Sequence, residues 1–462
     1  MKISKRFGPS VPSLAFVLLM GLMASIWIAG GASRADALGQ VIVRITSWVC
    51  LIILLLFRTP HPFRRAGWAF ALLMAALILT LAQLVPLPPA LWQLLPGRDL
   101  LAEAAAISKT PQPWRPWTLS PTATLNAASS LIVPLTTFLL MSALDASGRK
   151  HALALLLCVV VASMLSGILQ SVGVYFYNPL INESVGFVSG PFANRNHFAL
   201  FLALGCMLAP AWAFIDGPKP RWRALLALGF VFLFLLEILI SGSRAGTLIA
   251  ALSVAIAFLL IWPGLKNLFA NSPRWLSAAV MAGTVSAIVL FVTLSIVADR
   301  AVSINRAFAL DTGQDMRGRG LPTVLAMIRE YFPWGSGLGG FDTVFRIHEP
   351  LNLLKPTYFN HAHNDILEIV LDAGVPGLLL MLSMGAWWAW ASIKAWTATS
   401  GSEYMLARVG SGMLLLILIA SIFDYPARTP IIMATIAIAA VWLSEALRES
   451  RSSALPDKDQ HL

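Results

Sequence analysis

Charge is what this chain has least of. Only 12% of its 462 residues are Asp, Glu, Lys or Arg, while 58% are apolar. A soluble domain carries about a quarter charged residues, so the composition excludes one, and disorder, collagen and coiled coil with it. Cysteine is nearly missing too. Cys50, Cys158 and Cys206 fall inside apolar blocks, where they are expected as small buried side chains, with no disulfide framework or metal cluster. No internal repeat of the inverted-repeat transporter kind is visible. The run Gly335–Gly340 follows no strand and lacks a phosphate-loop lysine, so nucleotide binding is not expected.

What the chain has instead is apolar length. Mean hydropathy is +0.76, gathered in blocks of about 18–25 residues, enough to cross roughly 30 Å of hydrocarbon as helices. This predicts an all-α polytopic membrane protein of about twelve spans, near 12–31, 38–57, 66–87, 126–144, 151–173, 197–215, 224–241, 245–263, 275–297, 366–391, 406–424 and 429–447. A net charge of +11 would point a soluble chain toward nucleic acid. Here the cations sit between the apolar blocks, where they orient the chain, and no nucleic acid is expected.

With the N-terminus inside, Lys2/Lys5/Arg6, Arg58/Arg64/Arg65, Arg149/Lys150, Lys219/Arg221/Arg223, Lys266/Arg274, Lys394/Arg408 and Arg448/Arg451 all become cytoplasmic, as the positive-inside rule asks. Both termini are then cytoplasmic. The basic start and the run Val11–Gly30 look like a signal sequence, but the apolar core is too long, so an uncleaved first helix is expected. Residues 1–297 read as an N-terminal bundle of about nine helices with an outer loop at 88–125. A large outer loop at 298–365, three helices within 366–447 and a tail at 448–462 complete the layout. Within the large loop a helix is expected over Leu321–Tyr331, with Pro322 in its first turn. Loops of that size usually carry function. The Pro- and Trp-rich loop 88–125 offers rings that could stack on sugars.

Four polar features stand at the outer ends of spans. Arg195 lies in Ser189–His197 before a helix, and Arg244 in the turn Ser241-Gly-Ser-Arg-Ala-Gly246. His361 and His363 lie in Asn360-His-Ala-His-Asn-Asp-Ile-Leu-Glu368, and Asp424 and Arg428 in Asp424-Tyr-Pro-Ala-Arg-Thr-Pro430. A charged side chain deep in a bilayer costs about 3 kcal/mol. Two readings of the arginines stay open: a two-point anion site among Gly and Ser residues, or snorkelling and pairing with Asp424 or Glu237. The histidines keep three: a general base for a sugar hydroxyl, metal ligands with Asp365 and Glu368, or a helix cap with an acidic first turn. Arg44 and Glu237 are expected near an interface or paired in the bundle. His197 either joins the site or starts its helix.

His363-Asn364, nine residues, then Gly374-Val-Pro-Gly377 resembles the H-[NSQ]-x9-G-x-x-G signature of the O-antigen ligase and polymerase superfamily. Ser189–Phe198 is similar to its Asn-x-Asn-His segment, Ser243–Gly246 to its Ser-Arg turn, and Phe332–Phe341 to its Pro-x-x-G-x-G-x-G-x-F loop. Arg317 or Arg319 sits where an Arg often opens the preceding helix. The resemblance covers roughly 185–430 and implies a metal-independent, inverting glycosyltransferase of the inner membrane with its site facing the periplasm. It needs no cofactor.

The implied donor is a glycan on undecaprenyl pyrophosphate. The implied acceptor is lipid A–core, a lipid-linked repeat of O-antigen or exopolysaccharide, or a protein hydroxyl. Arg195 and Arg244 would hold the diphosphate and His363 would act on the acceptor hydroxyl. His361, Asn364, Asp365, Asn194, Asn196, His197, Ser243, Arg319 and Arg428 would support or bind substrate. A lipid-linked glycan flippase or secondary transporter is the rival class.

Overall fold

The structure, a computed structural model, describes residues 12–57, 67–174, 177–181, 186–268, 313–354, 359–398 and 404–452, with scattered positions from 273 to 297. The expected span 275–297, Lys2/Lys5/Arg6, Arg58/Arg64/Arg65, Arg274, the first part of the 298–365 loop and the side chains of Arg317, Arg448 and Arg451 lie outside the described residues.

The chain is an all-α polytopic membrane protein. Helices α1 (Leu14–Ala29), α2 (Leu38–Leu56) and α3 (Gly67–Ala82) come first, followed by α4 (Pro89–Trp92), α5 (Asp99–Ile107), α6 (Pro121–Ser130) and α7 (Ile132–Ala143). Long helices α8 (Ala146–Ser171), α9 (Arg195–Phe214), α10 (Trp222–Ser241) and α11 (Arg244–Leu268) succeed them, then α12 (Gly313–Tyr331), α13 (Phe341–His348), α14 (Asp365–Thr397), α15 (Met405–Phe423) and α16 (Pro430–Ser452). The only sheet among the described residues is the two-residue pair Pro86–Leu87 and Arg115–Pro116, antiparallel. Counting α6 and α7 as one, nine of the described helices are long and apolar enough to cross a membrane, with α1 and α3 shorter. Ser129 and Ser130 donate back to the carbonyls of Leu125 and Ala127, and Pro134 offers no N–H to Ser130. These side-chain bonds and the missing donor mark the break between α6 and α7.

Burial singles out the axis. Of the α9 window 89% is buried, against 28% for α10. A helix apolar on every face belongs at the centre of a bundle, and α8, α10, α11 and α15 surround this one. Whatever residues begin α9 are therefore delivered to the middle of one end of the protein. Two details differ from expectation. Cys158 is exposed, on the outward face of α8, whereas Cys50 and Cys206 are buried; all three are free. Helix α12 starts at Gly313, well before Leu321, with Pro322 inside it.

The glycine motifs prove to be two halves of one joint. Gly374 interrupts α14 with φ 53° and ψ −138°, a region open to glycine and strained for other residues. A β-carbon there would overlap the Pro333 carbonyl. The loop from Pro333 lies along the break and replaces the helical bonds it loses: Val375 N donates to Pro333 O (2.8 Å), Ser336 N to Leu371 O (2.9 Å) and Gly337 N to Asp372 O (2.8 Å). Gln83 reaches the same joint, donating to Asp372 O and accepting from Leu338 N. Buried Arg98 ties the 88–125 loop down by donating to the carbonyls of Trp117 and Gly335. Burial lowers Arg98 to about 10, and nearby Tyr331 partly restores it. Trp92 and Trp117 donate their indole N–H groups to Pro113 O and Trp334 O. Trp92 is buried and so is not available as a sugar platform, while Trp117 remains partly exposed.

Candidate active site at one end of the bundle

Four chain segments meet where α9 begins. Asn194 caps α9 by accepting from Asn196 N, which places Arg195 and Asn196 in the first turn. Helix α10 ends at Ser241, Gly242 turns in the left-handed conformation (φ 65°), and α11 starts at Arg244. Ser243 joins the two, donating to Asn196 Oδ1 (2.8 Å) and accepting from Gly246 N. Asn364 caps α14 by accepting from Leu367 N (3.0 Å), and its amide donates to Ile422 O. That cap fixes the backbone just before it, where His363 sits at φ 50°, a conformation that costs a non-glycine residue on the order of 1–3 kcal/mol.

Asp424, at the end of α15, gathers these segments. Its carboxylate is 5% exposed. It accepts from Asn194 Nδ2 (3.0 Å), Asn196 Nδ2 (2.7 Å) and Tyr425 N (3.1 Å) and faces His363 Nδ1 at 3.0 Å. The Tyr425 ring stands beside three imidazoles, with centroids 4.3 Å from His361, 4.9 Å from His363 and 5.1 Å from His197. Arg195, Arg244 and His363 all line one cleft of about 840 Å³, together with Asn194, Asn196 and Asn364. Its apolar lining includes Leu248, Leu321, Leu367 and Phe423. The Arg195 guanidinium lies 4.3 Å over the Phe187 ring, and an aromatic face stabilises a cation there.

The remaining candidates divide. His197 is buried, its Nδ1 at 3.1 Å from Thr429 Oγ1, behind the cleft wall. Asp365 is buried as well. It accepts from Ser421 Oγ (3.0 Å) and Arg428 Nε (3.1 Å). Arg428 also meets Glu368 at 3.1 Å. Burial disfavours the Arg428 charge, but Glu368, Asp365 and Asp372 outweigh that and raise its pKa above the arginine range. His361 donates toward the same Glu368 (2.8 Å). His361 and Arg428 line a second cavity, separate from the cleft. Arg319 is exposed and donates to Asn352 O (2.7 Å). It does not line the cleft, although Gly318 and Leu321 on either side of it do.

The sequence marks Asp424 as out of place and offers it to an arginine, whereas the structure sets Asn194, Asn196 and His363 on it. Tyr425 carries no sequence signal at all. Asp372, one turn beyond Glu368 on α14, is fully buried and accepts from Gly339 N. Its Oδ1 finds no partner among the described residues.

Residues 228–382 match the family model described as O-antigen ligase. Over this third of its length the chain is similar to the O-antigen ligase family, which supports the resemblance read from its motifs. The match takes in Arg244, the Pro333–Phe341 loop, both site histidines and the Gly374 joint, while Arg195, Asp424 and Arg428 stand outside it. No curated protein matches the chain. Together with nine long apolar helices among the described residues, this match supports a membrane enzyme of the general O-antigen ligase and polymerase type.

Proposed function

We propose that this protein transfers a glycan from undecaprenyl pyrophosphate to an acceptor hydroxyl at the periplasmic face of the inner membrane, with inversion at C1. The observation that carries the reading is the common cleft of Arg195, Arg244 and His363, backed by buried Asp424. With Nδ1–H given to Asp424, the lone pair of His363 rests on Nε2 and can take the proton of the acceptor hydroxyl. That oxygen bonds to C1 as the bond from C1 to the diphosphate oxygen breaks, and the electron pair leaves with the diphosphate. Arg195 and Arg244 meet the charge that builds on the leaving group, the kind of pre-set electrostatic stabilisation that often dominates catalysis. Arg428 is committed to Asp365 and Glu368, so neutralising the diphosphate falls to the two cleft arginines. The apolar cleft lining suits the first isoprene units of the donor. The acceptor is lipid A–core in a ligase, or a second lipid-linked glycan in a polymerase.

The test mixes purified protein in detergent with lipid-linked donor and acceptor. Release of undecaprenyl pyrophosphate together with a lengthened glycan is the expected result. Uptake of the lipid-linked glycan into vesicles without turnover would replace the transferase with a carrier. A deletion strain then separates the acceptors. Full-length chains stranded on the carrier mark a ligase, single repeats on lipid A an O-antigen polymerase, and missing secreted polysaccharide with normal lipopolysaccharide an exopolysaccharide polymerase.

A further inference from the structure

The second cavity, about 480 Å³, lies back to back with the cleft. The chain passes from one to the other inside a single turn: Asn360 and His361 line the cavity, and Ala362, His363 and Asn364 line the cleft. Two residues of extended chain span at most about 7 Å. The Tyr425 ring, on the cleft side, stands beside both histidines.

The cavity is amphipathic along its length. Gln40, Arg44, Asn126, Asn360, His361 and Arg428 make one part of its lining, and Leu79, Leu380, Met381 and Met384 another. Met384, on the membrane-spanning part of α14, is 36% exposed, so the apolar part reaches the lipid-facing surface beside α3. The cations in the lining differ in what they already hold. Arg34 is paired with Asp36, and Arg428 with Asp365 and Glu368. Arg44 pairs with no carboxylate among the described residues. Its Nη2 makes a 3.4 Å contact with Gln40 Oε1, and its buried Nε has no acceptor among the described residues. It stands six residues into α2, about 9 Å along the helix from its start, where a charge without an anion is costly.

We propose that this cavity seats the acceptor: an amphiphile with a phosphate where its hydrocarbon meets its glycan, the phosphate read by Arg44, the hydrocarbon laid along Met381 and Met384, and the glycan's reactive end led past the Asn360–Ala362 turn to His363 in the cleft. This rests on the transferase reading and adds to it the place and chemistry of the second substrate. Arg44 is then a specificity residue for the acceptor, remote from the bonds that change.

The experiment measures transfer by the purified full-length protein while donor and acceptor are varied independently. Arg44→Gln raises the apparent KM for the acceptor at least tenfold and leaves the KM for the donor within twofold. Arg44→Lys gives an intermediate shift. An unchanged acceptor KM, or a rise confined to the donor, overturns the proposal. A photoreactive diazirine on the acceptor's hydrocarbon labels Met381 or Met384, whereas labelling confined to Leu248 and Phe423 of the cleft overturns it. Glycan-free probes identify the source of the phosphate. Inhibition competitive against the acceptor by a polyprenyl phosphate points to a carrier-linked acceptor, and by a diphosphorylated glucosamine lipid to a ligase acceptor. Competition by neither overturns phosphate recognition. If the unmodified protein shows no turnover, the transferase reading itself falls, and the labelling pattern alone decides what the cavity holds.

Discussion

His361 and His363 are built alike and placed differently. Each presents Nδ1 to a buried carboxylate, Glu368 at 2.8 Å and Asp424 at 3.0 Å, and each leans on the Tyr425 ring. Yet one lines the cavity beside Arg428 and the other the cleft beside Arg195 and Arg244. Their carboxylates also keep different company. Glu368 is shared with the Arg428 guanidinium, while Asp424 accepts from the amides of Asn194 and Asn196. So one carboxylate is already ion-paired with a guanidinium, and the other is held by neutral amide donors. The comparison teaches that a histidine–carboxylate pair is not in itself a base. What the carboxylate holds besides, and which space the ring opens onto, decide the role.

The sharpest way to break the comparison is to remove each ring in turn. His363→Ala is expected to lower transfer by about 10³-fold, within the 10²–10⁴ that general acid–base catalysis contributes, with the protein still present in the membrane. His361→Ala should lose less than about tenfold and lose it in the acceptor KM, since its ring only walls the second cavity. Equal losses in kcat for the two variants would erase the distinction drawn here. Asp424→Asn comes next. An amide keeps a contact to His363 but can neither fix its Nδ1–H tautomer nor balance the imidazolium, so kcat should fall about 10²-fold with donor KM little changed. Arg244→Lys follows, at about 10- to 100-fold, the loss of one charge-assisted hydrogen bond of about 1.5–3 kcal/mol when a fork becomes a point charge. Near-normal turnover at saturating donor in that lysine variant would rule out two-point phosphate contact at Arg244.

Much of this could be read from the chain because charge is expensive in an apolar sequence. Arg195, Arg244, His361, His363, Asp424 and Arg428 drew notice for being polar at the ends of spans, and the structure collects all six around Tyr425, in the cleft, the cavity or the wall between them. The pairing among them could not be read. Asn194 and Asp424 are 230 positions apart and His363 and Asp424 61 apart, and no periodicity encodes which carboxylate meets which imidazole. So His361 and Arg428, expected in one site with His363, proved to line another space, and Arg319 was assigned to substrate although its side chain holds Asn352 O. The glycine signature was legible as a motif but not as a joint, because Gly374 makes sense only once the Pro333 carbonyl is seen lying where a β-carbon would be.

The smallest expected effect tests how His363 is aimed. Asn364 carries two contacts, the cap to Leu367 N and the reach to Ile422 O, and it also borders the cleft. Asn364→Ala removes both and should cost about 1 kcal/mol of stability, the usual worth of an N-cap, read as a modest fall in the thermal midpoint of the purified protein. Asn364→Ser restores the cap alone. If Asn364 acts by holding the strained backbone of His363 in place, serine should recover most of the stability but only part of the turnover, because the tie from α14 to the end of α15, where Asp424 sits, is still missing. If it acts instead by touching the donor, both variants should raise the donor KM alike, and restoring the cap should bring nothing back.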